Sequence, residues 1–266
     1  MPRIGQQVEA TGTVTPAKLA EVASDVRRFA SVAREHGAHP LLFGATAAVR
    51  RARNRDEVLR ALGEAAGVPC RLIAAEAEAR LAFRGATGEL RGEGLVLVAD
   101  IGGGSTECVL GEAGRVKALA SVPIGSGSAT DRWLLDDPPT AEQRAACAAA
   151  LRALLGGVPD GDPRSAVCTG GTASTLPTLL GRQPRAVLRS GDLDRCREVL
   201  DSAPSAEVAA RLSIDPLRAR VLAGGVEIVG AVMHRYRLDS ISVSPAGLRH
   251  GMILAYLEKG ERWIEG

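Results

Sequence analysis

The stretch LVLVADIGGGSTECVLGEAGRVKALASV, residues 95–122, constrains the fold more than any other. Two apolar runs, 95–99 and 106–110, are too short for helices and read as strands. GEAG is turn chemistry, and residues 115–122 form a third strand. The glycine triplet therefore joins two strands of a meander, not a strand and a helix. Elsewhere strands and helices alternate, which argues for an α/β fold with mixed sheets.

A helix is expected from Pro16 to about Gly37, with Thr15 as N-cap and apolar residues at Leu19, Val22, Val26, Phe29 and Val32. HPLLFGATAAV reads as a short buried strand and a loop, and VPCRLIA as a second strand. Between them Asn54 or Asp56 caps a helix carrying Val58, Leu59 and Leu62. AEAEARLAFRGA is a helix ending near Gly85, and TAEQRAACAAALRALLG is another. SAVCTGG is a strand entering a glycine turn, with TASTLPTLL as the helix behind it. Asp215 and Pro216 open a long helix to about Arg237, and LDSISVSPAGLRHGMILAYL reads strand, turn, helix. Residues 1–15 are polar and show no period. The charged, glycine-rich TGELRGEG, 87–94, is the expected hinge between an N-terminal domain, 1–93, and a C-terminal domain, 94–266.

A length of 266 residues suits one large domain or two small ones. Aromatics at 3% leave little to stack on nucleic-acid bases, and a net charge of +2 is too small for strong non-specific attraction to nucleic acid or membrane. Five cysteines without a C-x-x-C pair fit reduced, buried thiols. The N-terminus has no signal-peptide pattern, and no apolar run approaches the roughly 20 residues of a membrane span. The expectation is a soluble, cytoplasmic protein.

Glycines at 102–104 let backbone N–H groups close around an anion, and the hydroxyls of Ser105 and Thr106 add donors. Asp100 would repel a phosphate there unless a divalent cation lay between them, and Mg²⁺ prefers such oxygen ligands. A dinucleotide fingerprint is not satisfied, because Glu107 stands where its third glycine should. A P-loop is excluded by the lack of a lysine. The plain alternative is a tight β-turn without a ligand. Gly170, Gly171 and Thr172 precede a helix and could offer amides to phosphate; an ordinary strand–helix turn explains them equally well. The four histidines are dispersed without zinc spacing, Ser-His-Asp catalysis has no G-x-S-x-G support, and Cys108 reads as core. Arg50, Arg51, Arg53 and Arg55 form a charge run, ordinarily a solvated face; the sharper reading is that Arg50 forks onto phosphate oxygens and the others attract a polyanion.

DIGGGSTE, 100–107, resembles the second phosphate motif of the exopolyphosphatase / guanosine pentaphosphate phosphohydrolase family, within the actin-like ATPase and sugar kinase superfamily. ATAAVRRARN, LIAAEAEARLAFRGA, CTGGTAST and ISVSPAGLRHGMIL resemble its other segments in order, so the resemblance covers nearly the whole chain. It implies two ribonuclease H-like domains around a cleft, and Mg²⁺-assisted hydrolysis of a terminal phosphoanhydride in polyphosphate or guanosine pentaphosphate. Glu78 matches the glutamate that activates water. Arg50 matches the arginine on phosphate. Asp100 and Glu107 match acidic cleft residues linked to metal and water, and Gly102, Gly103 and Ser105 match the phosphate cradle.

Two departures stand out. The family's opening strand, first phosphate loop and hairpin have no counterpart, roughly thirty to forty residues or three strands, so the first domain is expected to lack its N-terminal strands. His250 stands in Leu-Arg-His-Gly where the family has a glutamate. The competing readings are a catalytically impaired phosphate- or nucleotide-binding regulator, and an ATP-dependent kinase or ATPase of the same superfamily. A homodimer is considered because closed dimers are common; ALRALLGGV, its apolar candidate, serves core packing equally well.

Overall fold

The computed structural model describes residues 4–88 and 94–265, so most of the expected hinge, 89–93, lies outside the described residues. The first seventy-two residues form α1 (Ile4–Thr11), α2 (Pro16–Glu35), β1 (Gly44–Ala45), α3 (Ala47–Arg51), α4 (Arg55–Ala66) and β2 (Arg71–Leu72). Next come α5 (Ala75–Thr87), β3 (Val96–Ile101), β4 (Thr106–Glu112), β5 (Arg115–Val122), α6 (Ser126–Trp133) and α7 (Ala141–Leu154). The remainder is β6 (Ser165–Thr169), α8 (Gly170–Leu179), β7 (Val187–Arg189), α9 (Ser190–Asp201), α10 (Ser205–Leu212), α11 (Pro216–Arg235), β8 (Ser240–Val243) and α12 (Leu248–Lys259).

The large sheet has six strands in the order β5-β4-β3-β6-β8-β7. β3, β4 and β5 form the expected antiparallel meander, while β6 lies parallel to β3 and β8 parallel to β6. A meander extended by parallel strands is the ribonuclease H-like arrangement. Every residue of β3 is buried, because helices cover both faces of the sheet. On one face Leu97, Ala99 and Ile101 join the main core with Leu176, Leu222, Val226 and Val229 from α8 and α11. On the other, Val96 and Val98 pack with Val109, Val167 and Ala79, Phe83 and Ala86 of α5. Side chains alternate along a strand, so Asp100 follows Val96 and Val98 on the α5 face.

α12 returns to lie on α5 at very close range. A Cβ built on Gly251 would sit 1.8 Å from the Leu81 carbonyl oxygen, and one on Gly85 2.0 Å from that of Gly247. The first seventy-two residues have their own small core, including Val8, Leu19, Val22, Val49, Val58 and Leu62. Their sheet is two parallel strands of two residues each, β1 and β2.

The caps at Thr15 and Asp215 form as expected, accepting from the N–H of Lys18 and of Arg218. Asn54 precedes α4 but bonds Val14 N–H and C=O instead of capping. Three short helices depart from the sequence expectation. α1 occupies the segment without a period, α3 replaces a loop, and α6 is a run of small residues. Each is below the length at which a periodic pattern can declare itself. Leu151, Leu155 and Val158 of ALRALLGGV are core residues. Cys108 is fully buried, and burial pushes its thiol up to about 12. Among the described residues no helix is long and apolar enough to cross a membrane.

Candidate active site

One row of polar residues crosses the sheet on the face toward α5. Register pairs Ser121 with Glu107, Glu107 with Asp100, and Asp100 with Thr169. Directly opposed residues share a face, so the four form a line. Ser121 Oγ donates to Glu107 Oε1 at 2.7 Å, and Thr169 Oγ1 donates to the Ala246 carbonyl at 3.1 Å. The first turn of α5 brings Glu78 to this end of the sheet. Ala79 and Phe83 on the same helix anchor it to the apolar part of the face, while Glu76, two residues away, is exposed.

Three carboxyl groups are thus buried together: Glu78 is 6% exposed, Asp100 9% and Glu107 1%. Arg50 Nη1 donates to Glu78 Oε2 at 2.9 Å and to the Ile73 carbonyl at 2.7 Å. Burial raises the Glu78 carboxyl above its ordinary value, against the opposing pull of Arg50 and Thr46. Burial, with the Glu78 charge, pushes Asp100 up to about 7. Glu107 is pushed up to about 8 by burial and by the Glu78 and Asp100 charges, against hydrogen bonds from Ser121 and Ser105. The cluster is short of positive charge. Among the described residues no three His, Cys, Asp or Glu side chains are arranged to hold a metal by themselves.

The glycine loop is held from behind by α6. The Gly102 carbonyl accepts from Ser126 N–H at 2.9 Å, and the Gly103 carbonyl from Gly127 N–H at 2.9 Å and Ser128 N–H at 3.1 Å. Gly125 makes this approach feasible, since a Cβ there would meet Gly102–Gly104 backbone atoms at 2.5 Å. In a trans peptide the N–H points opposite to the preceding C=O. With both carbonyls turned to α6, the N–H groups of Gly103 and Gly104 point away from it. Thr106 takes a framework role, its Oγ1 donating to the Ile124 carbonyl at 2.7 Å.

A cavity of about 410 Å³ lies against the loop, and Glu78, Gly102, Gly103, Ser105, Gly171 and Thr172 all line it. Asp100, Glu107, Gly170 and Arg50 stand outside this lining. Gly170 has φ +95°, and a Cβ on it would lie 2.7 Å from Asp100 Oδ1, so a bare backbone is needed against the acid. Thr172 Oγ1 is buried at the cavity without a hydrogen-bond partner among the described residues. His250 is exposed on α12.

The lining also includes Arg51, which the sequence named only within its charge run, and residues that sequence reasoning passed over: Arg218, Ser126 and Ser128, with Gln6 and Glu9 of α1. Arg218 carried a signal, since it lies in the first turn of α11, where the helix dipole disfavours a cation. Arg51 was one of four arginines in a run, and only its direction in space distinguishes it.

Comparison with known proteins assigns the chain to a family. The model of the Ppx/GppA phosphatase family matches residues 2–260. The chain is 33% identical over 280 residues to Exopolyphosphatase 2 of Mycobacterium tuberculosis, covering 95% of this chain and 86% of that one. It is 28% identical over 270 residues to Exopolyphosphatase 1 of Mycobacterium bovis, covering 96% and 78%. Among solved structures it resembles an exopolyphosphatase-like protein, with TM-score 0.87, 30% identity and coverage of 96% and 87%. A Ppx/GppA family member from Aquifex aeolicus superposes with TM-score 0.80 at 29% identity, covering 97% and 87%.

Proposed function

We propose, from the premise that this chain belongs to the Ppx/GppA phosphatase family, that it releases terminal orthophosphate from inorganic polyphosphate by attack of water. One observation carries the proposal: the buried Glu78 carboxylate and the glycine loop with N–H groups turned away from α6 share one cavity wall. Phosphoryl transfer asks mainly for positioning and for neutralisation of the phosphoryl oxygens. The N–H groups of Gly103 and Gly104, Ser105 Oγ and the unpartnered Thr172 Oγ1 are donors for those oxygens.

Glu78 is the base, taking a proton from the attacking water. Burial raises its basicity toward working pH, and Arg50 keeps it ionised and fixes the direction of Oε2. Arg50 therefore acts through Glu78, and from its place outside the cavity lining it does not make the phosphate contact that the resemblance implies. Mg²⁺ is the proposed cofactor, with Asp100 and Glu107 as its protein ligands. The donor set fits a hard cation: oxygen only, and two buried acids whose raised values mark uncompensated negative charge. The ion would neutralise phosphoryl oxygens beside the acids. The proposed division of labour is that residues 1–93 bring the arginines and Glu78, and residues 94–266 the loop and the acidic row.

The cavity lining contains no aromatic side chain among the described residues, so a guanine has no stacking wall there, which favours polyphosphate over guanosine pentaphosphate. The test is orthophosphate release from polyphosphate with Mg²⁺, wild type against Glu78→Gln. The variant should lose about 10²- to 10⁴-fold in kcat. Equal rates with retained polyphosphate binding would sink the hydrolase and favour a phosphate-binding regulatory protein.

A further inference from the structure

We infer that Arg51 is a substrate-binding residue of this cleft, gripping a phosphate of the polyphosphate chain at the Gly104 end of the glycine loop. The inference rests on the hydrolase reading above and adds a residue to it. Arg50 and Arg51 are consecutive on α3, so their side chains leave the helix about 100° apart. Arg50 turns to Glu78 and the Ile73 carbonyl, outside the cavity lining. Arg51 turns the other way, lines the cavity, and its Nη1 donates to the Gly104 carbonyl at 3.2 Å.

The rest of the run is engaged elsewhere. Arg53 Nη2 donates to the Thr11 carbonyl at 2.8 Å, and Arg55 sits 3.7 Å from Asp56. Arg51 has no carboxylate partner among the described residues, and it is exposed. Its partner is a neutral carbonyl at the long end of hydrogen-bond range. A phosphate oxygen accepts roughly twice as strongly and matches the guanidinium fork. A phosphate seated on the Gly103 and Gly104 N–H groups lies on the residue whose carbonyl Arg51 already touches, so a small movement transfers the guanidinium from carbonyl to substrate. The gain is in binding, because Arg51 faces the loop and not the Glu78–Arg50 pair.

Calorimetric titration of the full chain with sodium tripolyphosphate and Mg²⁺ tests this, using Arg51→Gln, Arg51→Lys and Arg53→Gln. Arg51→Gln should weaken binding about tenfold or more. Arg51→Lys should recover part of the loss, since it keeps the charge but not the fork. Arg53→Gln removes the same charge outside the cavity lining and should stay within about twofold of wild type. In turnover, Arg51→Gln should raise KM with little change in kcat. Affinity within twofold of wild type for Arg51→Gln, or equal losses for Arg51→Gln and Arg53→Gln, would overturn the assignment. A wild type that binds tripolyphosphate but never cleaves it would overturn the hydrolase reading alone, leaving Arg51 to be judged by affinity. A wild type that binds none would overturn both.

Discussion

The first seventy-two residues and the remainder of the chain are assembled by different means. In the first seventy-two, the glycine contacts that a Cβ would bring below 3.0 Å are all to side-chain ends: Gly12 on Arg53, Gly44 on Ile73, Gly67 on Arg34. From Gly85 onward the two tightest are backbone on backbone, Gly251 on Leu81 and Gly85 on Gly247, and Gly125 on the glycine loop and Gly170 on Ile101 are further backbone approaches, alongside side-chain ones such as Gly111 on Phe83 and Gly225 on Thr172. Side-chain ends can swing aside and backbones cannot. The difference matches what each part contributes. The later part supplies fixed donors and acids, held by a sheet covered on both faces. The earlier part supplies side chains, Arg50 and Arg51, and meets the later part through Arg50 on Glu78 and the Ile73 carbonyl, Arg51 on the Gly104 carbonyl and the Glu9–Arg132 ion pair.

The largest expected effect that would break this comparison is steric. Gly251→Ala sets a methyl 1.8 Å from the Leu81 carbonyl oxygen, so α5 and α12 must separate and Glu78 moves with α5. We expect a loss of about 3 kcal/mol or more, read from urea denaturation. Gly5→Ala in α1, whose Cβ would meet nothing closer than Ala48 at 4.0 Å, should be neutral to slightly stabilising. Comparable losses from the two would show that backbone approach does not distinguish the regions.

Next is a pH effect confined to the acidic row. Asp100 and Glu107 are raised to about 7 and about 8 in the folded chain, against ordinary values near 4 when unfolded. Between those values the folded state binds more protons, so unfolding free energy falls as pH rises. In metal-free buffer the melting temperature should drop between pH 5 and pH 8, with a total effect on the order of a few kcal/mol. Asp100→Asn should flatten the drop and melt above wild type at pH 8. Calorimetry across that range is the check, and a midpoint that rises with pH would contradict the proposed burden of buried charge.

Sequence alone reached the features with long or local signatures. The meander is written in two apolar runs and a GEAG turn, α2 in its period and its Thr15-Pro16 cap, and α11 in its Asp215-Pro216 cap. Glu78 was reached through the family resemblance; from periodicity it is one more helix carboxylate. Features created by pairing were out of reach. The Arg50–Glu78 bond joins residues 28 apart, and the Ser121–Glu107–Asp100–Thr169 row exists only once strand register is set. The direction of Arg51 depends on α3, a five-residue helix whose formation tertiary contacts decide.

The smallest effect sharpens the comparison most, because it removes an N-cap from one helix in each region. Thr15 caps α2, accepting from Lys18 N–H, and also accepts from Gln7 Nε2 at 2.9 Å; Asp215 caps α11, accepting from Arg218 N–H at 3.0 Å. Replacing either by alanine should cost about 1 kcal/mol. The costs should appear in different places. α2 belongs to a small core of its own, whereas α11 runs through the main core beneath the sheet. Thr15→Ala should therefore raise amide exchange in α1, α2 and α4 and leave β3 protected. Asp215→Ala should lower protection in α11 and the central strands together. If Thr15→Ala weakened β3 as much as α2, the two regions would unfold as one unit, and the flexible part of the cleft would have to be sought in side chains alone.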